Sequence, residues 1–477
     1  MFKRLLYTTR YTPIVQTSMV VLMEALEKAL RWAEENIKAE YIELRYENLK
    51  KTTLNLKDGV FVSFTEKLTR GVAIRVLANG AWGFSSTSDL GRLEEAIKEA
   101  YKLAKAAAET KKEKIKLAEI KPVEDFVKSR MKVKPREVDI EEKVSHLREL
   151  EKLLKEDEAV KSVNIRYEDG GGQKILLTNE GTRIEWDYNY LYQGVYVTGK
   201  KEGRLAMARD SIGAVDYGWE LMTEKEPNEK VKDRLLRKLH SQLEGVAPKR
   251  GEWPIVAGPI VVGIIAHEAL GHLAEADLTI NSPFKDLMGK QIAPEFVTMS
   301  ERYVEGGFGN DKYDDEGVPV KDIHIIENGI LKEIMLNREY AAKWDMEPNG
   351  HARAQDYRYP PIIRMRNTIF EPGDWSFEEM IEDIKFGYYV VDFRGGQAQL
   401  NSAFQVGIQE GYVIRNGEIA EPIRDTSITG VAIEALKKIT AVGKDFGLEV
   451  GFCGKGQTAF VSSGGPHMRF DGGILIG

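Results

Sequence analysis

The chain has one cysteine, Cys453, among its 477 residues. A single thiol cannot form an intrachain disulfide, and this sparing use of cysteine fits a reducing compartment, so we expect a cytoplasmic protein. Basic residues are not in excess either, because 68 Lys and Arg stand against 75 Asp and Glu, giving a formal net charge of −7. No basic stripe interrupts this mixture, so we expect no nucleic-acid partner.

Long apolar runs are also missing. The longest uncharged stretch covers residues 253–266 and is interrupted by Pro254 and Pro259. It is too short to cross a bilayer and is typical of a buried strand followed by a buried helix. The basic residues near the N-terminus are followed by no long apolar core, so we expect neither a signal peptide nor a membrane partner.

The length of the chain predicts two domains, because one hydrophobic core rarely organises so many residues. Residues 1 to about 18 match no periodic pattern, and Met19 and Met23 are both candidate start residues. We therefore interpret residues 1–20 as an N-terminal extension that is either disordered or spurious. We predict an N-terminal α+β domain over residues 21–246 and a C-terminal domain over residues 247–477. The segment Ala-Pro-Lys-Arg-Gly at residues 247–251 is a suitable boundary.

The N-terminal domain contains an internal echo. The segment Ile-Glu-Leu-Arg-Tyr-Glu at residues 42–47 resembles Val-Asn-Ile-Arg-Tyr-Glu at residues 163–168. Each follows an amphipathic helical pattern, and each precedes a turn sequence, at residues 57–59 and 179–181. The pattern predicts a duplicated unit made of a helix and an antiparallel sheet.

The C-terminal domain is rich in glycine and in strand-like segments, with hairpin turns indicated at residues 327–329 and 415–417. We predict a curved, barrel-like antiparallel sheet with one helix packed on it. The expected fold class is therefore α+β, with a β-rich C-terminal domain.

The most informative segment is His-Glu-Ala-Leu-Gly-His at residues 267–272. Two neutral imidazoles are good zinc ligands, and a carboxylate beside them can accept a proton from a water on the metal. His267 and His272 are five positions apart, about 140° around an ideal helix at about 100° per residue. A π-bulge would bring the two rings together, and Gly271 is where that distortion should cost least. The spacing therefore predicts an HExxxH metal site with Glu268 beside it.

A zinc ion with one open position needs a third protein ligand. The candidates are a lone cysteine flanked by glycines, two acids just past the histidines, an acidic cluster and a further histidine: Cys453, Glu275, Asp277, residues 314–316 and His467. A lone cysteine is more often a buried small hydrophobe, and an acidic cluster is more often a solvated turn. The residues alone leave the choice open.

Taken together, the histidine segment, Cys453 and the glycine-rich tail resemble the TldD/PmbA family of zinc peptidases. Further matches occur in family order, at residues 70–84, 314–317, 349–368, 395–397 and 453–457. The resemblance extends from about residue 21 to the end of the chain. TldD-type subunits keep the histidine motif and PmbA-type (TldE) subunits lack it, so the chain resembles the TldD type.

The resemblance implies a set of roles for the site residues. His267, His272 and Cys453 would bind zinc, and Glu268 would act as general base. Glu275 matches a family acid that would support the metal ligands from behind. The chain departs from the family pattern at Ala459 and Phe460, where relatives often have small residues and proline.

The resemblance also implies that an extended peptide is held by main-chain hydrogen bonds. Candidates for the edge that holds it are Gly395, Gly396, Gln397 and Gly464, although these glycines suit barrel corners equally well. Arg353, Arg364 and Arg366 either bind a peptide carboxylate or pair with surface acids, and we favour the surface pairing.

The function implied is a zinc metallopeptidase acting on small or unfolded peptides. Its expected partner is a PmbA/TldE-type subunit in a heterodimer, with a homodimer when the chain is expressed alone. A second hypothesis is a binding or regulatory subunit, of the DNA gyrase modulator type, with a structural metal. A third hypothesis is another zinc enzyme that uses two histidines and a cysteine, such as a dehydrogenase. It is disfavoured because no dinucleotide fingerprint follows a strand.

Overall fold

The computed structural model describes residues 19–477. Residues 1–18 of the predicted extension lie outside the described residues, and its last two residues already belong to the first helix. None of the helices described has the run of apolar residues that a bilayer crossing needs.

Among the described residues, the N-terminal half contains four α-helices and seven strands. In chain order they are α1 Met19–Asn36, β1 Tyr41–Lys57, β2 Val60–Ala78, β3 Ala81–Thr87, α2 Leu93–Thr110, β4 Glu124–Val127, α3 Ile140–Lys155, β5 Val160–Thr178, β6 Arg183–Lys201, β7 Arg204–Ala214 and α4 Asn228–Glu244. The seven strands form one sheet in which β3, β2, β1, β5 and β6 follow one another, with β7 and the short parallel strand β4 on β6.

The predicted duplication is confirmed by this arrangement. Helix α1 with β1–β3 and α2 makes one unit, and helix α3 with β5–β7 and α4 makes the second. The echoed segments lie in β1 and β5, which pair antiparallel from Glu43 opposite Thr178 to Lys57 opposite Asn164. The two units therefore join side by side through equivalent strands.

Helix α2 shows how sequence fixes packing in the first unit. Its buried face presents Ala96, Ala100 and Ala104, whose small side chains let the helix backbone come close to the sheet. Gly83 of β3 lies directly beneath, where an added Cβ would be 1.8 Å from the Ala100 carbonyl oxygen. Any larger residue at position 83 would push the helix away.

The C-terminal half begins with the segment that contains the histidines and continues through short strands. Its first elements are β8 Gly251–Glu252, β9 Ile255–Ala257, α5 Pro259–Ile264, a π-helix Ile265–Leu270, a 3₁₀ turn Gly271–Ala274, α6 Ala276–Thr279, α7 Phe284–Leu287, β10 Met299–Glu301, β11 Ile323–Glu327, β12 Ile330–Leu331, α8 Arg338–Trp344, β13 Ala352–Arg353 and β14 Ile362–Ile363.

The remaining elements complete two sheets. They are β15 Asn367–Phe370, α9 Phe377–Ile381, β16 Phe386–Ala398, β17 Ala403–Arg415, β18 Glu418–Pro422, β19 Ser427–Val431, α10 Ala432–Leu436, β20 Ile439–Val442, β21 Gly447–Gly454, β22 Thr458–Gly465, β23 Met468–Phe470 and β24 Ile474–Ile476. One sheet has the order β12-β11-β10-β15-β22-β21. The other has the order β20-β23-β9-β16-β17-β19-β24-β8, with β18 on β17.

The prediction of an α+β fold with a β-rich C-terminal domain is confirmed. Most strand pairs there are antiparallel, although β15 with β22 and β9 with β16 are parallel. Helix α5 and the π-helix contact strands of both sheets, including β16 and β22. The segment with the histidines is thus packed between the two sheets. Its own residues Val261, Ile265 and Leu270 belong to one hydrophobic core.

Both predicted hairpin turns of this half are present. Asn328 and Gly329 join β11 to β12, and Asn416 and Gly417 join β17 to β18, all four with positive φ. The proposed domain boundary between residues 246 and 247 lies in the segment between α4 and β8. Helix α4 packs on β7 of its own half and also on β17 beyond the boundary.

Candidate metal centre

The histidine segment leaves regular α-helical geometry where the spacing predicts. Helix α5 begins with Pro259 at its first position, where the missing N–H costs nothing. From Ile265 the backbone winds as a π-helix, and Gly271 N–H donates to the carbonyl of Ala266, five residues back. Residues five apart then lie above one another. The rings of His267 and His272 accordingly lie 5.2 Å apart, centroid to centroid, at 77° to each other.

Gly271 has a different role from the one the sequence suggests. Its own φ is −58°, and the irregular backbone falls on Leu270, at φ −128° and ψ −46°. What Gly271 provides is space, because an added Cβ would be 2.4 Å from Met365 Sδ. The expectation that Gly271 absorbs the distortion is wrong, and close packing against Met365 is the reason for glycine here.

Cys453 reaches the histidines from strand β21, 181 positions after His272. Its Sγ lies 3.5 Å from His272 Nε2. One ligand atom each from His267, His272 and Cys453 all lie within 4.8 Å of one another. Within the part of the chain that the structure describes, no second group of three or more His, Cys, Asp or Glu side chains has this geometry.

The other candidates for a third ligand are held elsewhere. Asp277 accepts from Lys455 Nζ at 2.9 and 3.0 Å. His467 lies between Asp445 and Tyr389. The structure therefore brings Cys453 to the two histidines and leaves the other candidates outside this group.

The donor set fits zinc. Imidazole nitrogens and thiolates are both zinc ligands, and three protein ligands with a fourth position open are the pattern of catalytic zinc sites. His267 Nδ1 is buried and has no hydrogen-bond partner in the structure. A buried polar atom without a partner is costly, and a ligated ion nearby is one arrangement that accounts for it.

Glu275 supports the second histidine from behind. It is fully buried, and its Oε2 lies 2.8 Å from His272 Nδ1. This contact turns His272 so that Nε2 faces Cys453. Such a carboxylate fixes the ring orientation and tautomer of a metal-ligating histidine.

The electrostatics differ sharply between the two rings. Burial lowers the pKa of His267 well below its usual value, and the charges of His272 and Arg364 lower it further. Burial opposes protonation of His272 as well, but its hydrogen bonds to Cys453 and Glu275 prevail and raise its pKa to about 10. The pocket between His272 and Cys453 thus favours a positive charge.

Glu268 projects from the π-helix beside His267. Its carboxylate is half-buried and has no hydrogen-bond partner among residues 19–477. Burial raises the pKa of Glu268, and the nearby His272 partly offsets that effect. A carboxylate with raised basicity and no competing partner is suited to accept a proton.

Three of the four predicted substrate residues lie on an open strand edge. Strand β16 pairs with β17 along its length, whereas β9 pairs with β16 only from Tyr388 to Val390. Gly395, Gly396 and Gln397 lie beyond that overlap and are exposed. A Cβ added at Gly396 would be 3.1 Å from Ile264 Cγ1, so this edge runs beside the histidine segment.

Gly464 does not fit the predicted role. It lies in β22 between Ile369 of β15 and Leu448 of β21, so both of its edges are paired. An added Cβ would be 2.2 Å from the carbonyl oxygen of Gly447. The prediction of a free edge at Gly464 is wrong, and its lack of a side chain instead permits close packing between strands.

The favoured pairing of the arginines with surface acids is wrong for Arg364 and Arg366. Both are buried and donate to main-chain carbonyls, Arg364 to Cys453 and Gln457 and Arg366 to Gly309 and Asp311. Arg353 does approach an acid, with its Nη2 3.6 Å from Asp311.

The acidic cluster at residues 314–316 is not a solvated turn. Asp314 and Glu316 are buried, and Glu316 accepts from Arg75 Nη2 at 2.8 Å. Arg75 also binds Glu43, so the cluster joins the N-terminal sheet to the C-terminal half. This interpretation failed because the cation that neutralises the cluster lies 241 positions away.

A cavity of about 720 Å³ lies between the N-terminal sheet and the hairpin β21–β22. Its walls combine aromatic side chains, among them Trp186, Tyr188 and Phe460, with charged groups of both signs. Arg353 lines this cavity, whereas Gly395, Gly396, Gln397 and Gly464 do not. Sequence reasoning missed it because its walls come from distant segments.

Comparison with known proteins agrees with the fold. The model of the PmbA/TldA metallopeptidase C-terminal domain matches residues 250–476, the model of domain 1 matches residues 42–108 and the model of the central domain matches residues 133–243. The chain belongs to the PmbA/TldA metallopeptidase family. The two N-terminal matches fall on the two duplicated units.

The chain is similar to curated members along most of its length. It is 37% identical to a metalloprotease of Methanocaldococcus jannaschii, covering 94% of this chain and 98% of that protein. It is 36% identical to a zinc metalloprotease TldD homolog of Saccharolobus solfataricus, covering 93% and 97%. The structure of TldE from Thermococcus kodakarensis has the same fold, with a TM-score of 0.75 at 20% identity, covering 94% of this chain and 99% of that chain.

Proposed function

We propose that this member of the family is a zinc-dependent peptidase whose metal ligands are His267, His272 and Cys453, with Glu268 as general base. The observation that supports it most is the convergence of one sulfur and two imidazoles within 4.8 Å beside a carboxylate without a partner. The similarity to a relative described as a zinc metalloprotease supports the choice of metal.

The protein side chains divide the work. A bound zinc ion supplies a Lewis acid that polarises a peptide carbonyl and makes a water molecule more acidic. Glu268 accepts the proton of the attacking water and delivers it to the leaving amine. Glu275 holds His272 in orientation, and the buried surroundings of His267 limit the access of bulk water.

Removal and return of the metal test the assignment. We expect the purified full chain, alone or with its partner subunit, to contain about one zinc per chain and to cleave unstructured peptides. Treatment with a chelator should reduce cleavage to below about 1%, and added zinc should restore it, because the Lewis acid is lost and regained. Metal analysis by mass spectrometry and a peptide-cleavage assay measure both. Full cleavage by metal-free protein would contradict the proposal.

We propose that the open edge of β16 at Gly395, Gly396 and Gln397 binds the substrate as an added strand. Main-chain pairing of this kind accepts many side chains, which suits a peptidase of broad specificity. A short or unfolded peptide, the proposed substrate, can pair with β16 without first unfolding. The exposure of the edge and its course beside the histidine segment support this assignment.

Peptides with N-methylated amides test the added strand. Along a strand, amide groups point alternately to one edge and the other. N-methylation at the amides that face β16 should therefore raise KM about 10-fold or more, and methylation at the intervening amides should change it little. KM measured over a series with one methyl group at each position gives the answer. A flat series would contradict strand addition.

We propose that the chain acts in a heterodimer with a PmbA/TldE-type subunit, with a homodimer formed when it is expressed alone. The shared fold with a TldE structure supports a partner of similar shape. Co-expression with such a subunit from the same genome should yield a complex by size-exclusion chromatography with light scattering. Two separate species would argue against the heterodimer.

A further inference from the structure

Arg364 is buried directly behind the hairpin that carries the thiol. It follows β14, and 1% of its surface is exposed. Its Nη2 donates to the carbonyl of Cys453 at 2.8 Å, and its Nη1 donates to the carbonyl of Gln457 at 2.7 Å. These carbonyls lie on either side of the turn between β21 and β22. One guanidinium therefore fixes both ends of that turn.

The third nitrogen of Arg364 faces the histidine side of the site. Its Nε lies 3.9 Å from Glu275 Oε1, and neither atom has a hydrogen-bond partner in the structure. The other oxygen of Glu275 lies 2.8 Å from His272 Nδ1. A charge pair in such buried surroundings is sensitive to the loss of either partner, because the remaining charge is left uncompensated.

Lys455 is a second cation near Glu275, but its contacts differ from those of Arg364. It approaches Glu275 Oε2 at 3.3 Å but also binds Asp277, and it lies at the partly exposed tip of the hairpin. Arg364, by contrast, is fully enclosed and contacts the main chain of the residue that carries the sulfur. Of the two cations near Glu275, only Arg364 contacts both the Cys453 backbone and the carboxylate that orients His272.

We propose that Arg364 is a positioning residue for the metal centre. It holds the Cys453 hairpin against the Glu275–His272 pair, so that the thiolate and the imidazole converge although they come from segments 181 positions apart. The planar guanidinium donates to both carbonyls while its Nε side faces Glu275, and the single nitrogen of an ammonium group cannot take all three places. The inference rests on the proposed function to the extent that His272 and Cys453 are metal ligands.

Arg366 provides a matched control. It is also a buried arginine, two positions along the chain, and it also donates to main-chain carbonyls, with Nε 2.8 Å from the carbonyl of Gly309. It has no hydrogen bond to the β21–β22 turn or to Glu275 among the contacts described. Replacing Arg366 removes a buried cation without removing the proposed link.

The test compares Arg364→Met, Arg364→Lys and Arg366→Met in the full-length chain. Zinc affinity is measured by competition with a chromophoric chelator, and folding by circular dichroism and thermal melting. We expect Arg364→Met to bind zinc about 10- to 100-fold more weakly, the range typical for groups that orient metal ligands. Arg364→Lys should fall between Arg364→Met and the wild type, and Arg366→Met should retain wild-type affinity.

Cobalt substitution adds a readout that a merely structural role would not change. In the cobalt-loaded wild type, the thiolate gives a ligand-to-metal charge-transfer absorption. We expect this band to be weaker in Arg364→Met and unchanged in Arg366→Met, because only the first change releases the Cys453 hairpin.

Three results would overturn the inference. The first is a folded Arg364→Met with wild-type zinc affinity and an unchanged cobalt band. The second is an equal loss in Arg366→Met. If Arg364→Met does not fold, wild-type affinity in Arg364→Lys is the third. A wild-type chain that binds no zinc would instead overturn the proposed function, which separates the two failures.

Discussion

Glu268→Ala is expected to keep its zinc and to lose peptide hydrolysis by about 10²- to 10⁴-fold, the usual contribution of a general base. Glu268 is not a member of the ligand group, so its removal should leave metal content unchanged. The loss should appear mainly in kcat, because Glu268 acts on the proton of the attacking water. Steady-state kinetics and metal analysis of the same preparation measure both effects.

Asp277→Asn is the matched control for this experiment. Asp277 is an acid of the same segment, but it binds Lys455 and does not belong to the ligand group. We expect it to change kcat by less than about 3-fold. Unchanged cleavage in Glu268→Ala would remove the peptidase assignment. It would favour the alternative of a regulatory subunit with a structural metal, because a structural ion needs no adjacent base.

Features that depend on local spacing could be predicted from the sequence. The five-residue separation of His267 and His272 is incompatible with a shared face of a regular helix, and the structure forms the π-helix that resolves it. The similarity between residues 42–47 and 163–168 predicted the duplicated units because the two segments lie in equivalent strands, β1 and β5, of the two units. Turns with Asn-Gly were placed correctly for a similar reason, since positive φ is tolerated by few residues.

Features that depend on distant partners could not be predicted. The local sequence around Glu316 predicts a solvated acid, but in the structure Glu316 accepts a hydrogen bond from Arg75 of the N-terminal sheet. The sequence around Gly464 predicts a free strand edge, but in the structure β15 and β21 pair with both edges of its strand. Arg364 carries no local sign that its acceptors are the carbonyls of a hairpin about ninety positions later. In each case the role of the residue depends on a contact with a residue that is distant in sequence.

Substitution of Cys453 distinguishes its two possible roles, packing in the hydrophobic core and binding of the metal. The residue is buried within the hydrophobic core and its Sγ also faces His272 Nε2. A buried small hydrophobe tolerates alanine better than serine, because serine buries a hydroxyl. A metal ligand tolerates neither, because both changes remove the thiolate.

We therefore expect Cys453→Ala and Cys453→Ser to lose zinc affinity together, each by more than about 100-fold, exceeding the loss typical of groups that only orient ligands. Peptide cleavage should fall in proportion to the zinc lost and should recover partly when excess zinc is supplied. Chelator competition, metal analysis and thermal melting measure the effects. Full zinc binding in Cys453→Ala, with a loss of thermal stability only in Cys453→Ser, would show that the sulfur serves packing alone. The third ligand would then have to come from another residue.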